Sequence, residues 1–229
     1  MNMLQSEPGS MAGQGKGQKR STLTLVRMAM LIAVSSVLVF LCFPLIPSAP
    51  FLKYDMADVP VLFAAFTMGW GPGMIVLTVA SFIQAFLFGH DGPIGFLMHM
   101  IASGTLVTVA YAIYAACRKT NKGLILALIC GSIAMALIMI PLNFIFTPKV
   151  LMDVPIGESA RIFFDGLSGG YTAGAYSEAA VTAYQTVKGM LLVALIPFNL
   201  LKAGLNSLLF YLVYRSIRAW KNKKRGAAA

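Results

Sequence analysis

Asn199, Lys202 and Asn206 lie inside an apolar run that extends from about Gly189 to Tyr214. Steps of three and four residues put all three near one face of a helix. A lysine in a hydrocarbon environment is costly, so it normally faces protein, a cavity or a partner. The phrase IPFN (196–199), which ends on Asn199, has a counterpart in IPLN (140–143), which ends on Asn143. In each, proline loosens the preceding helical turn, and asparagine presents both a donor and an acceptor. Two amides and an ammonium suit a neutral or weakly anionic polar ligand. Plain helix-to-helix hydrogen bonding is the alternative for the asparagines.

Other chemistry is sparse. His99 and Ser103 are four apart on one helical face and form a conceivable base and nucleophile, while His90–Asp91 beside glycines reads as a turn. No HExxH, Gly-x-Ser-x-Gly or phosphate-binding lysine loop occurs, so energy for uphill movement must come from another chain. Cys42, Cys117 and Cys130 have no metal-ligand spacing and read as small hydrophobes. The spans hold few acids, which argues against proton- or sodium-coupled transport. Asp58 reads as a helix cap; Lys53 and Asp55 read as rim charges or as groups that reach a ligand at the outer opening. Phe51, Tyr54, Phe82, Phe86, Phe88, Phe144, Phe198 and Trp70 include several residues near outer ends that could stack on a planar ring.

The elements that must position these residues are membrane helices. The 229-residue chain is 58% hydrophobic and 11% charged, against about 25% charged in soluble domains. Apolar segments predict six spans, near 22–43, 59–68, 73–88, 96–117, 124–146 and 189–214, the second of them short for a bilayer. The net charge of +10 is concentrated in the segment up to Arg27, the Arg118–Lys122 turn and the tail from Arg215. Six spans put all three clusters on the cytoplasmic side, with both termini inside. That distribution is topology and not a nucleic-acid footprint. The expected organisation is a disordered cytoplasmic tail over 1–20, one membrane domain over 21–218, and a basic cytoplasmic tail over 219–229. The prolines of 44–54 predict extended backbone across the mouth of the bundle. Short helices and a glycine-rich piece are expected between spans five and six. Ala29 and Ala33 on the first span form a small-xxx-small face that permits close helix approach.

Four stretches carry a resemblance: KYDMADVPVLFAAFTMGWGPG (53–73), FGHDGPIGFLMHMIASG (88–104), IPLNF (140–144) and IPFNLLKAG (196–204). They resemble the membrane-embedded substrate-binding subunits, or S-components, of energy-coupling factor (ECF) vitamin importers, most specifically the riboflavin subunit. The resemblance covers about Leu25 to Arg218. It implies a six-helix all-α S-component fold that captures riboflavin from outside, in the bacterial plasma membrane. It also implies a membrane coupling protein and two cytoplasmic ATPases as partners, and no cofactor beyond the transported ligand. Asn199 and Lys202 match the motif residues that hydrogen-bond the flavin, and Asn143 matches the span-five asparagine. Asp55 belongs to the segment that closes over the ligand, and Gln84 is the polar amide left in span three. Asn206, deeper, is assigned to helix contact. Ala29 and Ala33 match the surface that docks on the coupling protein. A related carrier for another vitamin, an autonomous facilitator and a membrane enzyme using His99 and Ser103 are the rival readings.

Overall fold

The computed structural model describes residues 12–46, 52–87 and 92–226. Residues 1–11 of the expected tail, Phe51, Phe88 and the His90–Asp91 turn lie outside the described residues.

Helix α1 runs over Ala12–Val39, so residues 12–20, expected as unstructured tail, are helical. A two-stranded antiparallel hairpin follows, with Phe43–Pro44 as β1 and Lys53–Tyr54 as β2, pairing Phe43 with Tyr54. Both ends of the segment for which the prolines predict extended backbone are therefore extended; its middle, 47–51, lies outside the described residues. Helix α2, Asp58–Met68, is followed after a single glycine by α3, Trp70–Phe82. Gly69 has φ +113°, a region that excludes most side chains, and Pro72 fits the first turn of α3. The two helices meet closely: a Cβ on Gly73 would sit 2.5 Å from that of Ala65. Helix α3 ends in a π turn, Ile83–Leu87.

Helix α4 spans Gly92–Ala116 and α5 spans Asn121–Met152. Thr120 caps α5 by accepting from the Gly123 amide at 3.0 Å. Pro141 was expected to loosen α5, yet the helix continues through both Pro141 and Pro148. Between the two prolines, side chains of the helix itself bond along it: Asn143 donates to the Met139 carbonyl and Thr147 donates to Asn143. Helix α6, Ile156–Ser168, packs on α5 and α7 outside the main bundle. The last helix starts earlier than its apolar run predicts. Helix α7, Glu178–Met190, passes through a π turn, Leu191–Leu195, directly into α8, Ile196–Gly226. Ser177 caps it, accepting from the Ala180 amide at 3.2 Å. A polar N-cap outside an amphipathic turn is what extends the helix beyond its hydrophobic part.

Five described helical segments are long and apolar enough to cross a membrane. The remaining apolar helix, α2, has 11 residues and a length of about 16 Å, roughly half a hydrocarbon core. Side chains such as Val26, Met30, Val34 and Val37 on α1 and Ile125, Ile129 and Ile133 on α5 are exposed, as lipid-facing residues are.

Two larger cores lie within the bundle, beside a small third cluster of Val154, Ala180 and Ala183. One joins α2, α3, α4, α5 and α8 through Leu62, Leu77, Leu106 and Phe210, all without exposed surface. Phe66 lies 5.0 Å from both the Tyr114 and Phe210 rings there. The other core gathers Leu52 and Tyr54 from the hairpin with Phe144, Phe163 and Phe198. Phe144 and Phe163 stack at 5.1 Å.

Candidate functional site

Residues 54–58, which follow the hairpin into α2, make polar contacts inside the bundle. The Lys202 ammonium donates to the Asp55 carboxylate at 2.8 Å. Both side chains are buried, at 11% and 4% exposure, which satisfies the cost of an intramembrane lysine with a charge from the loop. The other Asp55 oxygen accepts from the Ala57 amide at 3.0 Å. This local turn fixes the carboxylate just before α2 begins.

Asn206 lies one turn beyond Lys202 and has no exposed surface. It accepts from the Tyr54 hydroxyl at 3.0 Å, and its amide donates to the Asp55 carbonyl at 3.2 Å and to Asp58 at 3.1 Å. The asparagine therefore does contact another helix, but its partners are the loop and the start of α2.

Asp58 is not a cap. Ala57 occupies the N-cap position without a side-chain hydrogen bond, and Asp58 points inward from the first turn of α2. Its second oxygen is 3.3 Å from His99 Nε2 on α4, and His99 Nδ1 is 2.7 Å from the Ser81 hydroxyl on α3. Two carboxylates are thus buried in the bundle, where apolar spans with few acids were expected. Asp55 is paired with Lys202, and Asp58 accepts from Asn206 and lies beside His99. The hydrogen-bonded serine of His99 is Ser81, not Ser103 on its own helix. Ser81 is 1% exposed and Ser103 0%, so neither hydroxyl is accessible for nucleophilic chemistry.

The asparagines of the twin phrases adopt the same posture. Asn143 donates to the Met139 carbonyl at 2.7 Å and accepts from Thr147 at 3.0 Å. Asn199 donates to the Leu195 carbonyl at 2.8 Å. Each is 2% exposed, and each precedes or follows a phenylalanine of the hairpin-side core, Phe144 and Phe198. Gln84 sits in the π turn of α3, and its buried Oε1 has no hydrogen-bond partner. Asp55 and Lys202 are the expected site residues that bond directly to each other. Ala29 and Ala33 lie on an exposed face of α1, while Ser35 on the opposite side donates to the Ala57 carbonyl at 2.7 Å.

Tyr54, Asp58, Ser81 and His99 were not singled out together from sequence. The available signal was charge balance. A buried lysine needs an acid, only eight are present, and Asp55 and Asp58 have a spacing of three that matches the turn-by-turn spacing of Asn199, Lys202 and Asn206. Among the described residues no three His, Cys, Asp or Glu side chains are grouped to hold a metal ion.

A family model described as the substrate-specific component of ECF transporters matches residues 23–214. The chain belongs to that family. An ECF substrate-specific component is a transport subunit, not an enzyme, and this one is a multi-pass membrane protein. It is similar to the riboflavin transporter RibU of Staphylococcus aureus, with 30% identity over 208 residues, 90% of this chain and 96% of the relative. RibU of Lactococcus lactis subsp. cremoris is 30% identical over 207 residues, 88% of this chain and 95% of the relative. The riboflavin transporter FmnP of Bacillus subtilis is 26% identical over 205 residues, 89% of this chain and 96% of the relative. Among solved structures, the S component of a bacterial ECF transporter superposes with TM-score 0.65 at 29% identity, covering 87% of this chain and 98% of that one.

Proposed function

We propose that this substrate-specific component binds riboflavin from the outer side of the membrane and delivers it through an ATP-driven complex. The observation that carries the reading is the buried Lys202–Asp55 pair, which joins the loop after β2 to α8 beside Asn199. The relatives named above as riboflavin transporters support the ligand. The isoalloxazine ring packs against the hairpin-side core of Phe144, Phe163 and Phe198. Burying apolar surface there contributes about 25 cal/mol per Å². Asn143, Asn199, Lys202 and Asp55 meet the polar edges, and Gln84 adds an amide from the π turn of α3. Groups of this kind discriminate strongly, because a ligand that fails to pair them leaves them unsatisfied. No covalent step occurs.

The proposed topology has six crossings with both termini cytoplasmic, α2 serving as the short second crossing. The membrane unit is residues 21–218, and the basic segment from 219 stays at the cytoplasmic surface. Loop 52–57 descends from outside and supplies part of the polar depth that α2 lacks. ATP hydrolysis belongs to two cytoplasmic ATPases, reached through a membrane coupling protein that docks on the Ala29 and Ala33 face of α1.

The deciding experiment is purification in detergent without partner subunits. The protein is expected to co-purify with yellow flavin absorbance and, after stripping, to quench riboflavin fluorescence on titration. A stripped, folded protein that leaves riboflavin fluorescence unchanged would overturn the ligand assignment.

A further inference from the structure

The end of the bundle remote from the hairpin holds a cleft of about 390 Å³ between the start of α5 and the last turns of α8. Asn121, Tyr211, Tyr214, Arg215 and Arg218 contribute its polar lining. Arg218 donates to Asn121 Oδ1 at 3.0 Å, which fixes one guanidinium across the cleft. A second cleft of about 210 Å³ opens beside it, between the α2–α3 turn and Tyr111, Tyr114 and Lys119. The Tyr114 and Tyr214 hydroxyls, 3.4 Å apart, lie on the boundary between the two. The intervening turn is strained. Arg118 and Lys119, consecutive and neither of them glycine, have φ of +51° and +57°, a conformation that costs each residue free energy and is kept where the surroundings impose it.

None of the proposed riboflavin-binding residues lines either cleft. Their chemistry is different: cations and phenol hydroxyls instead of amides and a neutralised lysine. A guanidinium pair binds phosphate oxygens well. The helices that frame the larger cleft also continue it into the apolar zone. Leu212 and Leu208 lie one and two turns before Arg215 on α8, and Ile125 and Ile129 lie one and two turns after Asn121 on α5. All four are exposed. A cationic head site that runs into an exposed apolar track is complementary to an anion with a hydrocarbon tail. Tyrosines at that level are typical of a membrane interface.

We infer that this cleft is a binding site for one anionic phospholipid, its phosphate held by Arg215 and Arg218 and its acyl chains lying along α5 and α8. Asn121 and Tyr211 face the remaining polar part of the headgroup. The site is independent of the riboflavin reading and goes beyond it, because a protein with another ligand would carry it unchanged. Basic pockets between helices at a membrane surface take lipid headgroups through the same electrostatics.

The test is native mass spectrometry of the detergent-purified full chain with added phosphatidylglycerol, phosphatidylcholine or glycerol phosphate. Wild type is expected to retain one phosphatidylglycerol and to shed phosphatidylcholine. Arg215→Gln, which leaves the Arg218–Asn121 bond in place, should lower phosphatidylglycerol retention by about fivefold. Lys223→Gln removes the same charge farther along α8, outside the cleft, and should change retention by less than about twofold. Equal losses in the two variants would reduce the effect to diffuse charge and overturn the site. Equal retention of phosphatidylcholine would overturn the role of the anion. Retention of glycerol phosphate as tight as that of phosphatidylglycerol would make the ligand a soluble phosphate and overturn the lipid. If Arg215→Gln fails to fold, Tyr211→Phe carries the test, with a smaller loss expected and wild-type retention overturning the headgroup contact.

Discussion

The Lys202 ammonium and the Asp55 carboxylate meet at 2.8 Å across 147 residues of sequence. The pair joins the loop between β2 and α2 to α8, which holds the buried polar residues Asn199, Lys202, Asn206 and Ser207. Each residue answers a problem the other creates, since either charge alone would be buried without a counterion.

Lys202→Met is therefore expected to destabilise the protein by about 3–5 kcal/mol, because Asp55 remains behind unpaired. Asp55→Asn combined with Lys202→Met should recover most of that stability. Riboflavin affinity should stay at least about tenfold weaker in both. Thermal unfolding and fluorescence titration, measured on the same samples, separate the two effects. Recovery of full affinity in the double variant would remove Lys202 from the ligand site.

Asn206 holds the loop without needing to touch ligand. Asn206→Asp loses both amide donors and sets a carboxylate against Asp58, so riboflavin should dissociate about tenfold faster or more. Adding Asp58→Asn exchanges donor and acceptor and should restore part of the loss. Ser132→Ala breaks a comparable buried contact, Ser132 to Ser207 at 3.1 Å between α5 and α8, and should leave release unchanged. Stopped-flow displacement reads all three. Equal acceleration by Ser132→Ala would make Asn206 an ordinary helix contact.

Tyr54 gives the loop a pH limit. Its phenol is raised from 10.0, first by burial and then by the Asp55 carboxylate, with Lys202 acting oppositely. The neutral phenol is the form the fold favours. Its contribution is complete below 10.0 and is lost as pH climbs through the higher folded-state value. Thermal stability of wild type should exceed that of Tyr54→Phe at neutral pH, and the difference should shrink above about pH 10. A difference that stays constant through that range would exclude the titration.

Gly73→Ala tests the α2–α3 turn. The added methyl would lie 2.5 Å from Ala65 Cβ and 2.8 Å from its Cα, so backbone must move. A loss of about 1–3 kcal/mol is expected, seen as a lower unfolding temperature with riboflavin. An unchanged temperature would mean that the α2–α3 pair accommodates the methyl freely.

Ala29→Leu enlarges an exposed face of α1 away from the site. Riboflavin affinity of the isolated subunit should be unchanged, while uptake with the coupling and ATPase subunits should fall at least about tenfold. Normal uptake would move the docking surface elsewhere.

Much of this was legible in the amino-acid pattern. The polar trio on α8 stood out because a lysine in an apolar run has few explanations, and the twin phrases ending in Asn143 and Asn199 drew attention to matching turns. What escaped was pairing between distant elements. Asp58 looks like a cap when only its own helix is considered; its contacts with His99 and Asn206 depend on how three helices are arranged. The start of the last helix at Glu178 was hidden because α7 is amphipathic, so the apolar signal begins late. Gln84 was visible as a polar residue, but not as part of a π turn, which depends on one hydrogen-bond offset.

The π turn at Leu191–Leu195 also sets an angular phase between the two ends of the last helix. One residue advances an α-helix by about 100°. Deleting a single residue there would turn α8 by that amount against α7, swinging Asn199, Lys202 and Asn206 away from loop 54–58 together while every side chain remained present. The turn therefore acts as an indexing joint: it keys the direction in which the polar row of α8 faces to the seating of α7 on α5 and α6.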